Sequence, residues 1–324
     1  MPKPTPPDPP SLREAFQGAD LVIDAATTVP FIETTARAAL AAGADWIDIH
    51  YPQAGVAVLE GLRPEIEGAG LAFVTQAGFL PGLPSVFARA AEGRFTRYRK
   101  AAASVAMRTD FDPGGAALEL VEALGEYSAE VFRDGRWRGA GAREVRKVDF
   151  GPPLGVKTCY PTTLAEMRGL PEMLGVEELG AYVAGINWFV DGVVTPLAYL
   201  LGKVKSGLGR DRLAWLLVWG SKRFTPPGEA VAVVLEAEGE RGGEEVLVRL
   251  RAGHDDVYGF TAMPVVSLLL QILDGTARKA GLSMMGHIVD PGRLLADLVR
   301  MGAEVEEGEE VRGRSSPRGE VDGG

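Results

Sequence analysis

The sequence is poor in cysteine. Cys159 is alone among 324 residues, so no disulfide can form within the chain and a reducing, cytoplasmic setting is expected. No apolar run reaches about 18 residues, the length needed to cross a bilayer, and no charged-then-apolar leader opens the chain. A membrane is therefore not an expected partner. Histidine is scarce as well. His50, His254 and His287 stand far apart, none three or four positions from another, so no zinc site is expected. The H-E-x-x-H and G-x-S-x-G patterns are both missing. Positive charge is in deficit: 34 basic against 44 acidic residues leave −10, which argues against nucleic acid as the main partner. Seven acids and three arginines in residues 302–324 supply −4 of that sum, so the body is only mildly acidic.

What is present is an apolar content of 46%, enough for a real core, on a chain whose length predicts two domains. Six of its 22 prolines fall in the first ten residues. Proline fixes φ and lacks an N–H, so this stretch reads as a flexible lead. From residue 20 short apolar strands alternate with helices. Residues 21–26, 46–49 and 71–75 read as strands, with helices at about 30–42, 56–68 and 83–92. Gly43 stands at the first helix's C-terminal stop, and Pro81-Gly82 precedes the third helix. This rhythm predicts a parallel, doubly wound sheet.

Near residue 94 the pattern changes to alternating polar and apolar residues with turn signals between. Asp134-Gly135 and Gly242-Gly243 are predicted hairpin turns. Helices are predicted at 114–124, 162–169, 193–203, 210–221, 261–275 and 292–301. This block reads as an α+β domain with a mixed or antiparallel sheet and helices on one face. Its basic residues cluster at 94–108 and 133–147. They read as one solvated sheet face or, alternatively, as a surface that attracts carboxylates. The polar, Gly-rich end of the chain reads as disordered.

In an open parallel sheet, ligands sit at the carboxyl ends of the strands. Three segments share that rim: residues 25–28, 48–51 and 76–80. Small Ala25, Ala26 and Thr27, with Gly78 beyond the third strand, would let a flat cofactor approach the backbone. His50 stands on the rim between Asp48 and Tyr51, where it could donate a proton or bind substrate. His254 lies where the second domain hands back to the first, and clefts between domains favour substrates.

ADLVIDAA, a helix running into ALAAGADWIDI, and AGLAFVTQAGFLPGLPSVFARA together resemble the saccharopine dehydrogenase-like oxidoreductases. The family's form is a DVVIN-A-A strand, an AGxxYVD strand and a GxGxDPG turn. Residues 255–262 resemble its return into the first domain. The resemblance covers about residues 18–92 and, more loosely, 93–303. It implies a Rossmann domain, an inserted α+β substrate and dimerisation domain, and a homodimer. It also implies NAD or NADP chemistry on a small amino-acid-like or imine substrate. Ala25, Ala26, Thr27, Asp48, Gly78 and Phe79 would then serve the cofactor, and His50, Tyr51 and His254 the substrate.

Two departures stand out. Leu80 replaces the family's Asp before Pro-Gly. Further, family members open with a strand and a G-x-G-x-x-G/A loop, followed by about sixty residues before the DVVIN strand, whereas nineteen residues precede Asp20 here. Neither Gly139-Ala140-Gly141, with Glu144 where a third glycine belongs, nor Gly202–Gly207 replaces that loop. The expected architecture is thus a lead at 1–19, a partial Rossmann domain at 20–93, and the α+β domain at 94–255. Return helices at 256–305 and a disordered tail at 306–324 complete it. Leu21–Ile23 would form an exposed edge. Either the protein is longer than this sequence, or it is a shortened relative with impaired cofactor binding. A non-catalytic binding or dimerisation protein is the alternative. Tyr199-x-x-x-Lys203 offers a third reading, a short-chain-dehydrogenase-type pair on one helix face.

Overall fold

The computed structural model describes residues 8–312 apart from 27, 52, 110–115, 126–128, 142–143 and 206. Its first unit contains helix α1 (Pro9–Phe16), strand β1 (Leu21–Asp24), α2 (Ile32–Ala42), β2 (Asp45–Asp48) and α3 (Ala54–Ala69). Strand β3 (Ala72–Thr75) and α4 (Leu83–Ala90) follow. The second unit begins with β4 (Arg97–Arg108), α5 (Ala116–Gly125), β5 (Glu130–Arg133), β6 (Arg136–Gly139), β7 (Arg146–Asp149) and β8 (Val156–Thr162). It continues through α6 (Leu170–Leu174), β9 (Glu178–Ala184), α7 (Thr195–Val204), α8 (Arg210–Phe224), β10 (Ala230–Arg241) and β11 (Glu244–His254). The chain then returns as α9 (Val257–Leu273), β12 (Gly281–Met284), α10 (Met285–Ile288), α11 (Pro291–Arg300) and β13 (Glu304–Arg312).

Strands β1, β2, β3 and β12 form a parallel sheet in the order β1-β2-β3-β12. Every residue of β2 and β3 is buried, because helices cover both faces; the centres of the strands are apolar, and Asp45, Asp48 and Thr75 at their ends are hydrogen-bonded. Gly43 and Gly70, at φ 70° and 67°, end the two helices beside them in the left-handed conformation that glycine reaches without strain. Strand β1 ends the sheet, and its Ile23 is 44% exposed.

The remaining strands make a nine-stranded sheet along the path β13-β11-β10-β4-β9-β5-β6, with β8 also on β9 and β7 on β8. All its pairings are antiparallel except β4 with β9. The largest core lies between this sheet (Ala103, Val233, Leu235) and the helices α4, α9 and α11 (Phe87, Phe260, Leu294). A separate cluster holds α5, α7 and α8 together through Val121, Ala198 and Leu217.

Several expectations are corrected. The proline-rich lead is helical in part. Pro9 and Pro10 occupy the first turn of α1, where a missing N–H costs nothing, and Asp8 caps the Ser11 amide at 3.2 Å. Phe16 then packs against the core beside α2. The return segment contains a strand, β12, as well as helices. Residues 304–312 of the acidic end are not disordered but pair with β11 along its length; residues 313–324 lie outside the described ones. The helix predicted at 162–169 is a short 3-10 turn at Ala165–Met167 followed by α6. The basic strand residues are neutralised across the sheet: Arg97 and Arg99 pair with Glu177 and Glu245, Arg133 with Glu144, and Arg146 with Glu236. They form a solvated, mixed-charge face. Cys159 is buried, and burial pushes its thiol up to about 12, so it is inert at neutral pH.

Phe73 on β3 is fully buried and stacks on Trp46 with ring centroids 5.9 Å apart. Phe73→Ala is expected to cost about 3–5 kcal/mol through lost burial and the cavity left behind. Urea unfolding checks this, and a loss under about 1 kcal/mol would show that the sheet repacks.

Candidate active site

Strands β1 and β2 both end in aspartate, and their register sets Asp24 beside Asp48. Asp48 is completely buried. Its Oδ1 accepts the His50 amide at 3.0 Å, the Thr75 hydroxyl at 3.0 Å and the Gln76 amide at 3.4 Å. Its Oδ2 accepts the Trp46 indole N–H at 3.3 Å. One carboxylate thus fixes the outgoing turns of β2 and β3. Burial raises its pKa, and the His50 charge and these donors offset only part of that.

His50 folds back over the rim. Its Nε2 lies 3.0 Å from Thr28 Oγ1, 3.2 Å from the Ala26 carbonyl and 3.6 Å from Asp24 Oδ1. A carbonyl can only accept, so Nε2 carries the proton. The Thr28 hydroxyl donates to Asp24 at 2.6 Å, and the Thr35 hydroxyl donates to the same carboxylate at 3.2 Å. His50 Nδ1 stands 3.7 Å from Asp48 Oδ1 and is buried without a hydrogen-bond partner. Burial works against an imidazolium here, but Asp24 and Asp48 outweigh it and the ring titrates above its ordinary value. Burial likewise pushes Asp24 up, yet the hydrogen bonds from His50 and Thr28 bring it below the usual carboxylate value.

A second polar chain ties this rim to the large sheet. Gln53 donates to the Tyr51 carbonyl at 2.6 Å and accepts from the Gln76 side chain at 3.0 Å and from the Ala165 amide at 2.7 Å. Gln76 in turn accepts the Glu166 amide at 3.0 Å. It holds a left-handed backbone, φ 58°, which is unusual for a non-glycine residue. Glu166 is fully buried, and its carboxylate accepts the amides of Gly82 (2.8 Å) and Ser85 (3.1 Å) at the start of α4. Burial pushes it up to about 7. His287 Nε2 donates to the Glu166 carbonyl at 2.6 Å, and burial lowers that ring below its ordinary value. Tyr51, whose phenol hydrogen-bonds the Thr162 side chain, is pushed up by burial.

The structure therefore brings Ala25, Ala26, Asp48, His50 and Tyr51 to one rim. Ala25 and Ala26 are exposed there, while Asp48 and His50 are buried. Thr27 lies outside the described residues. Gly78 and Phe79 are both buried. A Cβ on Gly78 would come into ordinary contact with the Pro81 carbonyl at 3.4 Å and Thr261 Cγ2 at 3.6 Å, so that side of the residue faces protein. Phe79 is buried and packs on Phe260, ring centroids 6.0 Å apart. His254 stacks on the same Phe260 at 6.4 Å and accepts the Asp256 amide at 2.9 Å. On α7 the Lys203 ammonium lies over the Tyr199 ring, 5.1 Å from its centre, rather than at the hydroxyl. Thr28 and Gln76 belong to the rim segments read from the sequence, whereas Asp24, Gln53, Glu166 and His287 were not anticipated at the site. Two successive strands ending in Asp were a readable signal for Asp24. The others meet partners remote in sequence.

Among the described residues no three His, Cys, Asp or Glu side chains are grouped to hold a metal ion. The exposed Ala25 and Ala26 suit the flat end of a nicotinamide. The start of α4, a natural phosphate position, is taken by the Glu166 carboxylate.

Neither a family model nor a curated protein matches the sequence. In fold, the chain is similar to apo saccharopine dehydrogenase (L-Glu forming) from Saccharomyces cerevisiae, with a TM-score of 0.64 at 15% identity over 94% of this chain and 87% of that one. GenD2 from gentamicin A biosynthesis in complex with NAD aligns at a TM-score of 0.33 and 11% identity, over 87% of this chain and 74% of that one. An oxidoreductase from Thermotoga maritima aligns over the same shares at 0.30 and 11%. Those two scores are too low to bear on the fold. The fold is thus saccharopine dehydrogenase-like, a parallel Rossmann-type sheet joined to a large mixed sheet, as the residue resemblance implied.

Glu166 carries a pH signature. Its folded pKa, about 7, lies above the ordinary 4.5, so its contribution is present at low pH and is lost as pH rises from about 4.5 through 7. Neutral His287 has the opposite sign, its contribution fading on acidification. Compared with Glu166→Gln, the native protein should lose on the order of 3 kcal/mol of stability across that window. Parallel unfolding curves of the two proteins from pH 4.5 to 8 would exclude this.

Proposed function

We propose that the protein is an NAD- or NADP-linked oxidoreductase acting on a small molecule at an amino-acid-like or imine C–N centre. The rim at the carboxyl ends of β1 and β2 is its site. The observation that carries this reading is the fold similarity over 94% of the chain to an enzyme named for saccharopine and glutamate. The residues at the rim add to it. A nicotinamide, when bound, exchanges hydride with the carbon of the C–N bond. Ala25 and Ala26 would lie against it. The chain's own part is proton handling. His50, whose pKa Asp24 and Asp48 raise, points its Nε2 at the Thr28 hydroxyl and the Ala26 carbonyl of the rim. The Tyr51 phenol, kept protonated by burial, serves the substrate side. A homodimer built on the large-sheet domain belongs to the same reading.

Cofactor binding is proposed to be weak in this chain. Glu166 occupies the start of α4, and Gly78 and Phe79 face protein. The same facts favour a second reading, a non-catalytic binding protein with this fold. Nicotinamide fluorescence separates them in part: no measurable NADPH binding is expected at micromolar concentration, and saturable micromolar binding would falsify the claim of weak affinity. With millimolar NADPH, an amino acid and an aldehyde, slow NADPH oxidation is expected, and His50→Asn should cut it by about 100-fold. No oxidation above background by the native protein would favour the non-catalytic reading.

A further inference from the structure

Helices α7 and α8 both lie on α5, and each turns an apolar stripe outward. On α7 and the turn before it the stripe is Val193, Leu197, Leu200 and Val204, spaced four, three and four residues apart. Leu200 is 61% exposed and Val204 77%. On α8 the inward face is Leu213, Ala214, Leu217 and Val218. The outward stripe is Arg212, Trp215, Trp219 and Lys222. Trp215 and Trp219 stack on each other with centroids 6.3 Å apart. Trp219 meets Phe224 at 5.6 Å, and Phe224 meets Trp188 at 4.8 Å. Trp188 and Trp215 are 67% and 61% exposed. Three of the chain's five tryptophans therefore stand in one connected aromatic surface facing solvent. Scattered exposed apolar residues need no explanation, but a contiguous patch of this kind does.

Charge decides what covers it. Residues 193–226 hold six basic residues, Lys203, Lys205, Arg210, Arg212, Lys222 and Arg223, against one acid, Asp211. That is a local charge of +5 on a chain of −10. On the large sheet arginines are paired with glutamates. Here, among the described residues, no carboxylate lies within 4 Å of Lys205, Arg212 or Lys222. A second copy meeting this face about a two-fold axis would set these cations against themselves. Exposed Trp and Leu with Lys and Arg alongside is the composition of a segment that lies in a bilayer interface. The rings sit at headgroup depth and the cations reach anionic lipid. No described helix is long and apolar enough to cross a membrane, so the contact is with the surface only.

We infer that the α7–α8 face, with Trp188, Trp215 and Trp219 as its anchors, docks on an anionic lipid surface. The test is co-flotation of the full chain with vesicles of phosphatidylcholine containing about 30% phosphatidylserine, against phosphatidylcholine alone. At least about ten-fold more protein should float with the anionic vesicles, with a blue shift of tryptophan emission, and about 0.5 M salt should reverse most of the binding. The Trp215→Ser/Trp219→Ser and Arg212→Glu/Lys222→Glu pairs replace exposed side chains. Each should lower binding by about ten-fold without altering the circular dichroism melt. Equal flotation with both vesicles, no flotation at all, or binding indifferent to both pairs would overturn the inference. So would a concentration-dependent dimer, seen by sedimentation, that Trp215→Ser/Trp219→Ser dissolves.

Discussion

A carboxylate with no access to water, Glu166, reaches from a loop of the nine-stranded sheet to the first amides of α4 and holds them. The rest of the rim depends on that contact. Gln76 and Gln53 pass backbone hydrogen bonds from the Glu166 loop to the turns after β2 and β3. Asp48 then locks those same turns from below. The two sheets are joined by satisfied polar groups rather than by a hinge. A buried network of this kind is stiff only while every member keeps its partner, so the rim's geometry is a property of both sheets together.

Burial at the rim raises Asp48 and Tyr51, while paired charges keep Asp24 ionised and favour a charged His50. Groups with divergent titration in one corner are what acid–base chemistry needs. Yet among the described residues of the predicted set only Ala25 and Ala26 are exposed. The access comes from the turn after β1, and the chemistry from Asp24 and Thr28 there together with Asp48, His50 and Tyr51 at the end of β2.

Much of the framework was legible. The strands at 21–24, 45–48 and 72–75 centre on short apolar stretches next to glycine-stopped helices, and the Asp134-Gly135 and Gly242-Gly243 turns carry their own geometry. What was missed has physical reasons. Strand β12 is Gly-Leu-Ser-Met, without β-branched residues, and becomes a strand because β3 offers it an edge. Strand β13 reads as an acidic tail because its partners are arginines far back in the chain. Helix α1 was hidden by prolines that sit in its first turn. In the site, His50 was visible as a rim residue, but its burial was not, since Asp24, Ala26 and Thr28 close over its ring. Glu166 stood in the apolar series Leu164, Met167 and Leu170, and a lone carboxylate on a core-facing stripe was a signal that spacing alone could not join to α4.

Arg251, on β11, shows what the last strand does. Its guanidinium is 4% exposed and donates to the Phe150 carbonyl at 2.6 Å and the Pro152 carbonyl at 3.3 Å. Glu306 of β13, at 2.9 Å, supplies a counter-charge, with Glu304 at 3.5 Å. A chain cut at Ala303 would keep every helix and leave a permanent cation sealed in the sheet without its anions, a strongly destabilising state. The acidic stretch that looked like an appendage is the electrostatic lid of the large sheet.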